Sequence, residues 1–319
     1  IGDVGRAPAR FDQAKLDNNE PLSQALKLLM NSFCGVLGSP DCRFFDPKLV
    51  SAITLRGRDI ISRSRDIIEA QGYPVIYGDT DSIFISLGEA ASNDRALKIA
   101  DSLVDLVNQW WREFAQTTLQ IESKLEIEFD THYQRFFLPT LRGADQGSKK
   151  RYAGLVIHDS GEDEIVYRGL ESARSDWTPL ARKFQHDLYQ RIFHDQPFED
   201  FIREYVQLTK DGSFDRRLVY KKRIRRKLTD YVKNVPPQVR AAKLADEINQ
   251  KNGRPMRYQN GGWISYVMTI NGPQPVEHVL SSVDYEHYIG HQLAPIADSI
   301  LLPLNSNFSA IVSDQRALF

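Results

Sequence analysis

One short string restricts this chain more than any other: Tyr77-Gly78-Asp79-Thr80-Asp81-Ser82, set between Pro74-Val75-Ile76 and Ile83-Phe84-Ile85. Gly and Asp between two apolar runs of strand formers predict a tight β-hairpin over 73–87. Strand side chains alternate, so Asp79 and Asp81, two positions apart, are expected to share a face. Paired carboxylates on one rigid face suit oxygen-loving divalent cations, and Mg²⁺ takes one or two carboxylates together with substrate phosphates. An ordinary Asp-rich turn fits the same letters, so further motifs must decide between the two.

The chain has 319 residues, long enough for two or more domains and a sizeable core. No apolar run approaches the roughly 20 residues of a membrane span, and Ile300-Leu301-Leu302 is broken by Pro303. No signal-peptide pattern opens the chain, and its first residue is Ile rather than Met, the expectation for a fragment or a processed product. Cys34 and Cys42 fit no metal spacing and no disulfide framework, so a reducing cytosol is the default compartment. The seven His residues form no HxxH or HExxH cluster, which argues against zinc. A net charge of −1 hides an uneven distribution: Lys221-Lys222-Arg223-Ile224-Arg225-Arg226-Lys227 packs six cations into seven positions. Such a stretch suits a nucleic-acid binder that also carries a carboxylate metal site; a solvated loop is the other reading.

Residues 1–20 have the polar composition of a loop or a frayed helix end. Pro21 sits where a first helical position tolerates proline. Leu22, Leu26, Leu29, Met30 and Phe33 then recur at helical spacing, predicting a helix over 22–37 that stops at Gly38-Ser39-Pro40. Asp46-Pro47 is an N-cap followed by proline and opens a long helix to Gln71, with Gly72 as its stop. After the hairpin, 93–117 is strongly amphipathic, bearing Leu97, Leu103, Leu106, Val107, Trp110, Trp111 and Phe114. Strand-like runs follow at 125–138, 151–158 and 164–170. Hairpin and strands together predict an antiparallel sheet with long helices on one face, an α+β fold. From Asp176 the pattern is mainly helical, around 177–194, 197–210, 237–251 and 284–301, interrupted by the basic segment and a β patch at 263–270. The expected domain boundary lies near residue 172.

Two further motifs carry chemistry. In Lys27-Leu28-Leu29-Met30-Asn31-Ser32-Phe33-Cys34-Gly35, the residues Lys27, Asn31 and Gly35 fall four apart and share a helix face. A cation, an amide and a position without a side chain along one stripe suit a triphosphate and a closely approaching base. A plain amphipathic helix with one exposed Lys is the alternative. Lys149-Lys150-Arg151-Tyr152 follows a Gly-rich stretch at 143–147. Three cations entering a strand beside a Tyr suit a phosphate backbone, and a solvated charge run at a strand end is the alternative.

In this order and at these separations, the Lys27-to-Gly35 helix, the hairpin and the Lys149-to-Tyr152 strand resemble the motif series of family B DNA polymerases. Shorter strings resemble bacterial members: Arg43-Phe44-Phe45-Asp46-Pro47, Gly143-Ala144-Asp145, Asn234-Val235-Pro236-Pro237-Gln238-Val239-Arg240 and Asp284-Tyr285-Glu286-His287-Tyr288. The resemblance covers residues 12–319 and implies the C-terminal portion of a polymerase: 1–38 the end of the fingers, 39–172 palm, 173–319 a mainly helical thumb. It implies primer 3′-hydroxyl attack on the α-phosphate of a deoxynucleoside triphosphate, with two Mg²⁺ ions and release of pyrophosphate. It also implies a place at the nucleoid in a bacterial cytoplasm, and roles in DNA repair and replication restart.

Residue by residue, the resemblance makes Asp81 the stronger metal ligand and Asp79 its neighbour. Lys27 would touch the triphosphate and protonate the departing pyrophosphate. Asn31, Cys34 and Tyr77 become nucleotide-binding positions, and Glu128 and Asp130 supporting carboxylates near the metals. Lys149, Lys150, Arg151 and Tyr152 would hold primer-template DNA. Lys221, Lys222, Arg223, Arg225, Arg226 and Arg240 would hold duplex backbone in the thumb.

The chain also departs from the family pattern. Cys34 stands where the family usually has Tyr against the nascent base pair, which implies a looser check on pair shape. An Asp-x-x-Ser-Leu-Tyr-Pro-Ser strand, source of another metal-binding Asp, does not occur in the sequence, nor do most of the first fingers helix and an exonuclease domain. That leaves a second reading for the chain alone: a catalytically incomplete module that binds DNA and a sliding clamp and needs an N-terminal polymerase portion. Reverse transcriptases and RNA polymerases also place paired Asp on a hairpin, but the other two motifs argue against them. The closing Gln315-Arg316-Ala317-Leu318-Phe319 resembles the peptide that docks bacterial polymerases on the β sliding clamp. There Leu318 and Phe319 would fill an apolar pocket with Gln315 at its edge; an apolar end packed on its own thumb is the alternative.

Overall fold

The computed structural model describes residues 7–79, 81–88, 92–139, 151–158, 160–170, 177–233 and 235–313. Helices mix with short antiparallel strands, so the chain is α+β. It falls into two compact units, Ile1–Asp130 and Thr131–Phe319.

The first unit opens with α1, Ala7–Leu16, where composition had suggested a loop or a frayed helix end. α1 packs on α2, Glu20–Leu37, and Ala14 and Leu26, one from each, are buried. Asn19 caps α2 by accepting from the Leu22 N–H at 3.2 Å. α3, Pro47–Glu69, is capped as expected: Asp46 Oδ1 accepts from the Lys48 and Leu49 N–H groups at 2.9 and 3.2 Å. The chain then forms β1, Val75–Asp79, and β2, Ser82–Ile85, paired antiparallel. α4, Asn93–Phe114, follows and runs into a π-helical turn, Ala115–Leu119. The core of this unit is Ile68, Leu103, Val107 and Trp111; Val75, Ile83 and Ile85 of the hairpin, and Leu125 and Ile127 beyond α4, pack against it. The buried indole of Trp111 donates to Ser64 Oγ at 2.9 Å, tying α4 to α3.

The second unit holds β3, Arg135–Phe137, β4, Tyr152–Ile157, and β5, Asp163–Arg168, an antiparallel sheet in chain order. Helices α5, Pro179–Phe193, and α6, Glu199–Lys210, follow. Next come β6, Tyr220–Ile224, α7, Pro237–Lys251, β7, Gly262–Thr269, and β8, Gly272–Pro275. These three strands form a second antiparallel sheet with β7 in the middle, and α7 packs on it. α8, Tyr285–Tyr288, continues through a π-helical turn into α9, Ala294–Leu301, and α10, Phe308–Val312, ends the described chain. One large core joins Ala153 and Leu155 of β4 to Phe184, Leu188 and Tyr189 of α5, Ile264 of β7 and Ile296 and Ile300 of α9. Arg135 of β3 forms a two-pronged ion pair with Asp195 after α5, which holds the Asp195 carboxyl below its usual range.

Three expectations about strands change. Among the described residues the hairpin does not join the β3–β5 strands in one sheet; each makes its own ladder, and the hairpin lies in the first unit while β3–β5 lie in the second. Of the run 125–138 only Arg135–Phe137 enters a ladder. Its first half is held by a side chain instead: Asn108 on α4 bonds both backbone groups of Ile127. The basic segment interrupts the helices as expected, but its first part, 221–224, is strand rather than loop, because Tyr220 and Ile224 alternate inward and β7 supplies a partner.

Candidate functional site

The hairpin presents its acidic end by simple register. Tyr77 pairs with Phe84, Gly78 with Ile83 and Asp79 with Ser82, which leaves Asp81 at the turn before β2. Val75, Ile83 and Ile85 anchor the hairpin on the Trp111 core, and Tyr77 rests against Phe84 with ring centroids 5.3 Å apart. Asp81 is exposed, and its carboxylate accepts a long 3.4 Å bond from its neighbour Ser82 Oγ. Asp79 ends β1. The side chain of Asp79, and with it the expected sharing of a face, lies outside the described residues.

Glu128 and Asp130 are exposed on the segment that Asn108 fixes. Leu125 and Ile127 turn into the same core that carries the hairpin, and Glu126 and Glu128, on either side of Ile127, are left exposed. The hairpin and this acidic segment are therefore seated on one set of apolar side chains. No group of three or more His, Cys, Asp or Glu among the described residues is arranged to hold a metal. The donor chemistry nevertheless fits a hard cation: an exposed hairpin carboxylate with no cationic partner among the described residues supplies the oxygen that Mg²⁺ needs, with phosphates and water completing the shell.

Lys27 is exposed on α2, and a Cβ at Gly35 would meet open space. Both lie on one continuous helix with Asn31, so the expected common face is a consequence of helical spacing. The side chains of Asn31 and Cys34 lie outside the described residues. α3 touches both α2 and the hairpin and so links the two motifs within the first unit. An open depression lined by Gln71, Tyr73, Arg95, Lys98, Ser102 and Leu106 also lies in this unit, but none of the expected site residues borders it.

In the second unit, Arg151 and Tyr152 stand at the start of β4, both half-buried. Tyr152 belongs to a ring cluster with Phe136 and Tyr133, at centroid distances of 5.2 and 6.0 Å, on the sheet face opposite the buried Ala153 and Leu155. Gly154 makes that cluster possible: a Cβ there would overlap the Tyr133 ring. Lys149, Lys150 and the Gly-rich stretch 143–147 lie outside the described residues, as do Gln315, Leu318 and Phe319 of the tail.

The basic segment is built into the fold. Tyr220 and Ile224 are buried on one side of β6, and Lys221 and Arg223 project on the other; Lys222 is half-buried. Arg225, Arg226 and Lys227 continue exposed beyond the strand, and Arg240 is exposed in the first turn of α7. Gly261, at φ +87, packs so closely on the Ile224 carbonyl that a Cβ would stand 2.6 Å from its oxygen. Buried Asp246 on α7 holds the preceding turn by accepting from Arg257 N at 2.7 Å, Tyr258 N at 3.2 Å and Gln259 Nε2 at 3.0 Å. Gln259 in turn accepts from Leu228 N at 3.1 Å. A buried carboxylate thereby positions the end of the basic strand, a role no local sequence signal announces. Trp263, read from sequence only as part of a β patch, is an exposed ring directly opposite Arg223.

The sequence model of DNA polymerase family B matches residues 10–304 of this chain. DNA polymerase II of Escherichia coli (strain K12) is 53% identical over 97% of the chain, which spans 39% of that protein. A DNA polymerase of Thermococcus gorgonarius is 28% identical over 87% of the chain and 34% of its own length. The DNA polymerase alpha catalytic subunit of Xenopus laevis is 27% identical over 91% of the chain and 20% of its own length. The chain thus spans about two fifths or less of these relatives, and no described helix is long and apolar enough to cross a membrane. With the acidic hairpin, the Lys27 helix and the basic strand all inside the matched region, this chain belongs to DNA polymerase family B.

Proposed function

We propose that this chain carries the nucleotidyl-transfer and DNA-holding portion of a template-directed DNA polymerase. One observation carries the reading most: a hairpin anchored on an apolar core, with an exposed Asp81 that makes no ion pair among the described residues, beside Asp79, in a chain of this family. The proposed reaction is attack of the primer 3′-hydroxyl on the α-phosphate of a deoxynucleoside triphosphate. Asp79 and Asp81 would hold Mg²⁺, with Glu128 and Asp130 as supporting carboxylates near the metals, and two such ions would stabilise the charge of phosphoryl transfer. Lys27 and Asn31 orient the triphosphate, and Lys27 stands ready to give a proton to the departing pyrophosphate. Cys34 and Tyr77 are further nucleotide-binding positions in this reading. Arg151 and Tyr152, following Lys149 and Lys150, hold primer-template DNA, and the β6 cations with Arg240 hold the duplex behind it.

In this reading 1–38 is fingers, 39–172 palm and 173–319 thumb, and the protein works in bacterial DNA repair and replication restart. Family membership and the 53% identity to a DNA polymerase favour a polymerase portion over a binding module alone. The tail Gln315-Arg316-Ala317-Leu318-Phe319 is proposed to dock on a sliding clamp; deleting Leu318 and Phe319 should abolish clamp binding while primer-template affinity stays within twofold.

Primer extension tests the central claim. The chain is assayed with Mg²⁺, a primed template and all four deoxynucleotides, alone and with the remainder of a polymerase II supplied in trans, beside an Asp81→Ala control. Extension that drops at least a hundredfold in the control supports the reading. Equal extension by wild type and control would sink the hairpin's assigned role.

A further inference from the structure

Trp263 is an unusual surface residue. It leaves 57% of its area exposed, although indole is among the most favourable side chains to bury. Its strand is not loose: the flanking Ile264 and Tyr266 are 1% and 4% exposed, anchoring β7 in the unit's core. Trp263 pairs across the ladder with Arg223, and Ser265 pairs with Lys221. Side chains opposite one another on antiparallel strands share a face, so the indole lies across from Arg223 and diagonal to Lys221. Lys221 Nζ lies 5.9 Å from the ring centroid. Neither cation is held in an ion pair among the described residues, and Arg225, Arg226 and Lys227 extend the positive stripe past the strand end.

A rigid, exposed aromatic ring flanked by uncompensated cations is the arrangement that binds single-stranded nucleic acid: bases stack on the ring and phosphates meet the cations. Duplex backbone would use the cations but leave the indole facing water, because bases inside a duplex have their faces covered by their neighbours. A second copy of this chain would bring the same cations face to face. We propose that Trp263 is a stacking platform for an unpaired base of single-stranded DNA, with Lys221 and Arg223 holding the flanking phosphates. The inference rests on the reading of this unit as a DNA-holding one, and adds to it a partner that the basic segment alone does not call for.

Fluorescence anisotropy of the 319-residue chain with labelled oligo(dT) and with a blunt duplex tests it. Trp263→Ala should weaken oligo(dT) binding by about tenfold, the loss of one stacked base, and leave blunt-duplex binding within about twofold. Trp263→Phe should keep most of the single-strand affinity, since a ring remains, and it covers the case in which the alanine variant folds poorly. Lys221→Ala and Arg223→Ala should each lower the salt dependence by about one phosphate contact. Equal oligo(dT) binding by wild type and Trp263→Ala, with duplex binding intact, overturns the proposal alone. Binding of neither DNA by wild type overturns the DNA-holding reading and the proposal with it. Sedimentation in which wild type is a dimer, Trp263→Ala is a monomer and DNA affinity is unchanged overturns it in favour of self-association.

Discussion

Asn108 bonds both ends of its side-chain amide to one residue: Oδ1 accepts from the Ile127 N–H at 2.9 Å, and Nδ2 donates to the Ile127 carbonyl at 3.0 Å. A helix side chain thereby makes the pair of bonds that a neighbouring strand would make. Ile127 is turned toward Trp111, and Glu126 and Glu128 are left outward. Asn108→Ala removes both bonds and leaves two backbone groups unpartnered, so the first unit should lose about 2–3 kcal/mol. Urea denaturation measures the loss, and amide exchange at Ile127 should quicken. A loss under about 0.5 kcal/mol, the size of an ordinary surface substitution, would remove Asn108 as the holder of the acidic segment.

Gly154 lies flat beneath the Tyr133 ring. Gly154→Ala forces the ring away and should destabilise the second unit by about 1–3 kcal/mol through overpacking. Tyr133→Leu should recover part of that cost in the double variant. A double-mutant cycle showing strict additivity would contradict the contact.

Asp246 is 2% exposed and serves the 257–259 turn. Asp246→Ala strands those donors in the interior and should cost about 2–4 kcal/mol. DNA affinity at low salt should fall with it, because the turn positions the end of the basic strand. Asp246→Asn keeps an acceptor oxygen, and its thermal midpoint should lie between those of Asp246→Ala and wild type.

His287 accepts from or donates to the Tyr220 hydroxyl at 3.2 Å. Burial first, and then the charge of neighbouring His291, lower its pKa below the ordinary 6.5, against the opposing pull of Asp284. A histidine depressed in the folded state binds fewer protons than in the unfolded chain, so stability rises with pH through this window. Stability should therefore be complete above about pH 7 and fall as the pH drops through about 6.5. His287→Phe should flatten that slope in thermal melts between pH 5 and 7. An unchanged slope would assign the effect to other groups, His132 among them, whose pKa burial also lowers.

Asp81 is exposed, and the hydroxyl bond it accepts is long. Asp81→Ala should leave the melting midpoint of the first unit nearly unchanged, within about 0.5 kcal/mol of stability. The same variant thus separates chemistry from folding: extension should be lost at constant stability. A large drop in stability would make the carboxylate structural.

Local rules made much of this chain legible. Pro47 after Asp46 marked the start of α3 because capping involves residues within one turn. Gly and Asp between two apolar runs marked the hairpin, and helical spacing put Lys27, Asn31 and Gly35 in one row. α1 escaped notice because its apolar residues form no continuous stripe and its helicity depends on packing against α2.

The sequence by itself determined the long helices, the hairpin, the Asp46 cap and the three motif strings, since each depends on residues only a few positions apart. Only the tertiary structure decided which strand runs pair with which, because ladder partners are chosen by contacts distant in sequence. It also decided that Asn108 replaces a strand beside Ile127, that Asp246 steadies the turn beside β6, and that Trp263 stands among cations instead of in the core. In each case the deciding energy is a bond, or a burial forgone, between residues that no local pattern relates.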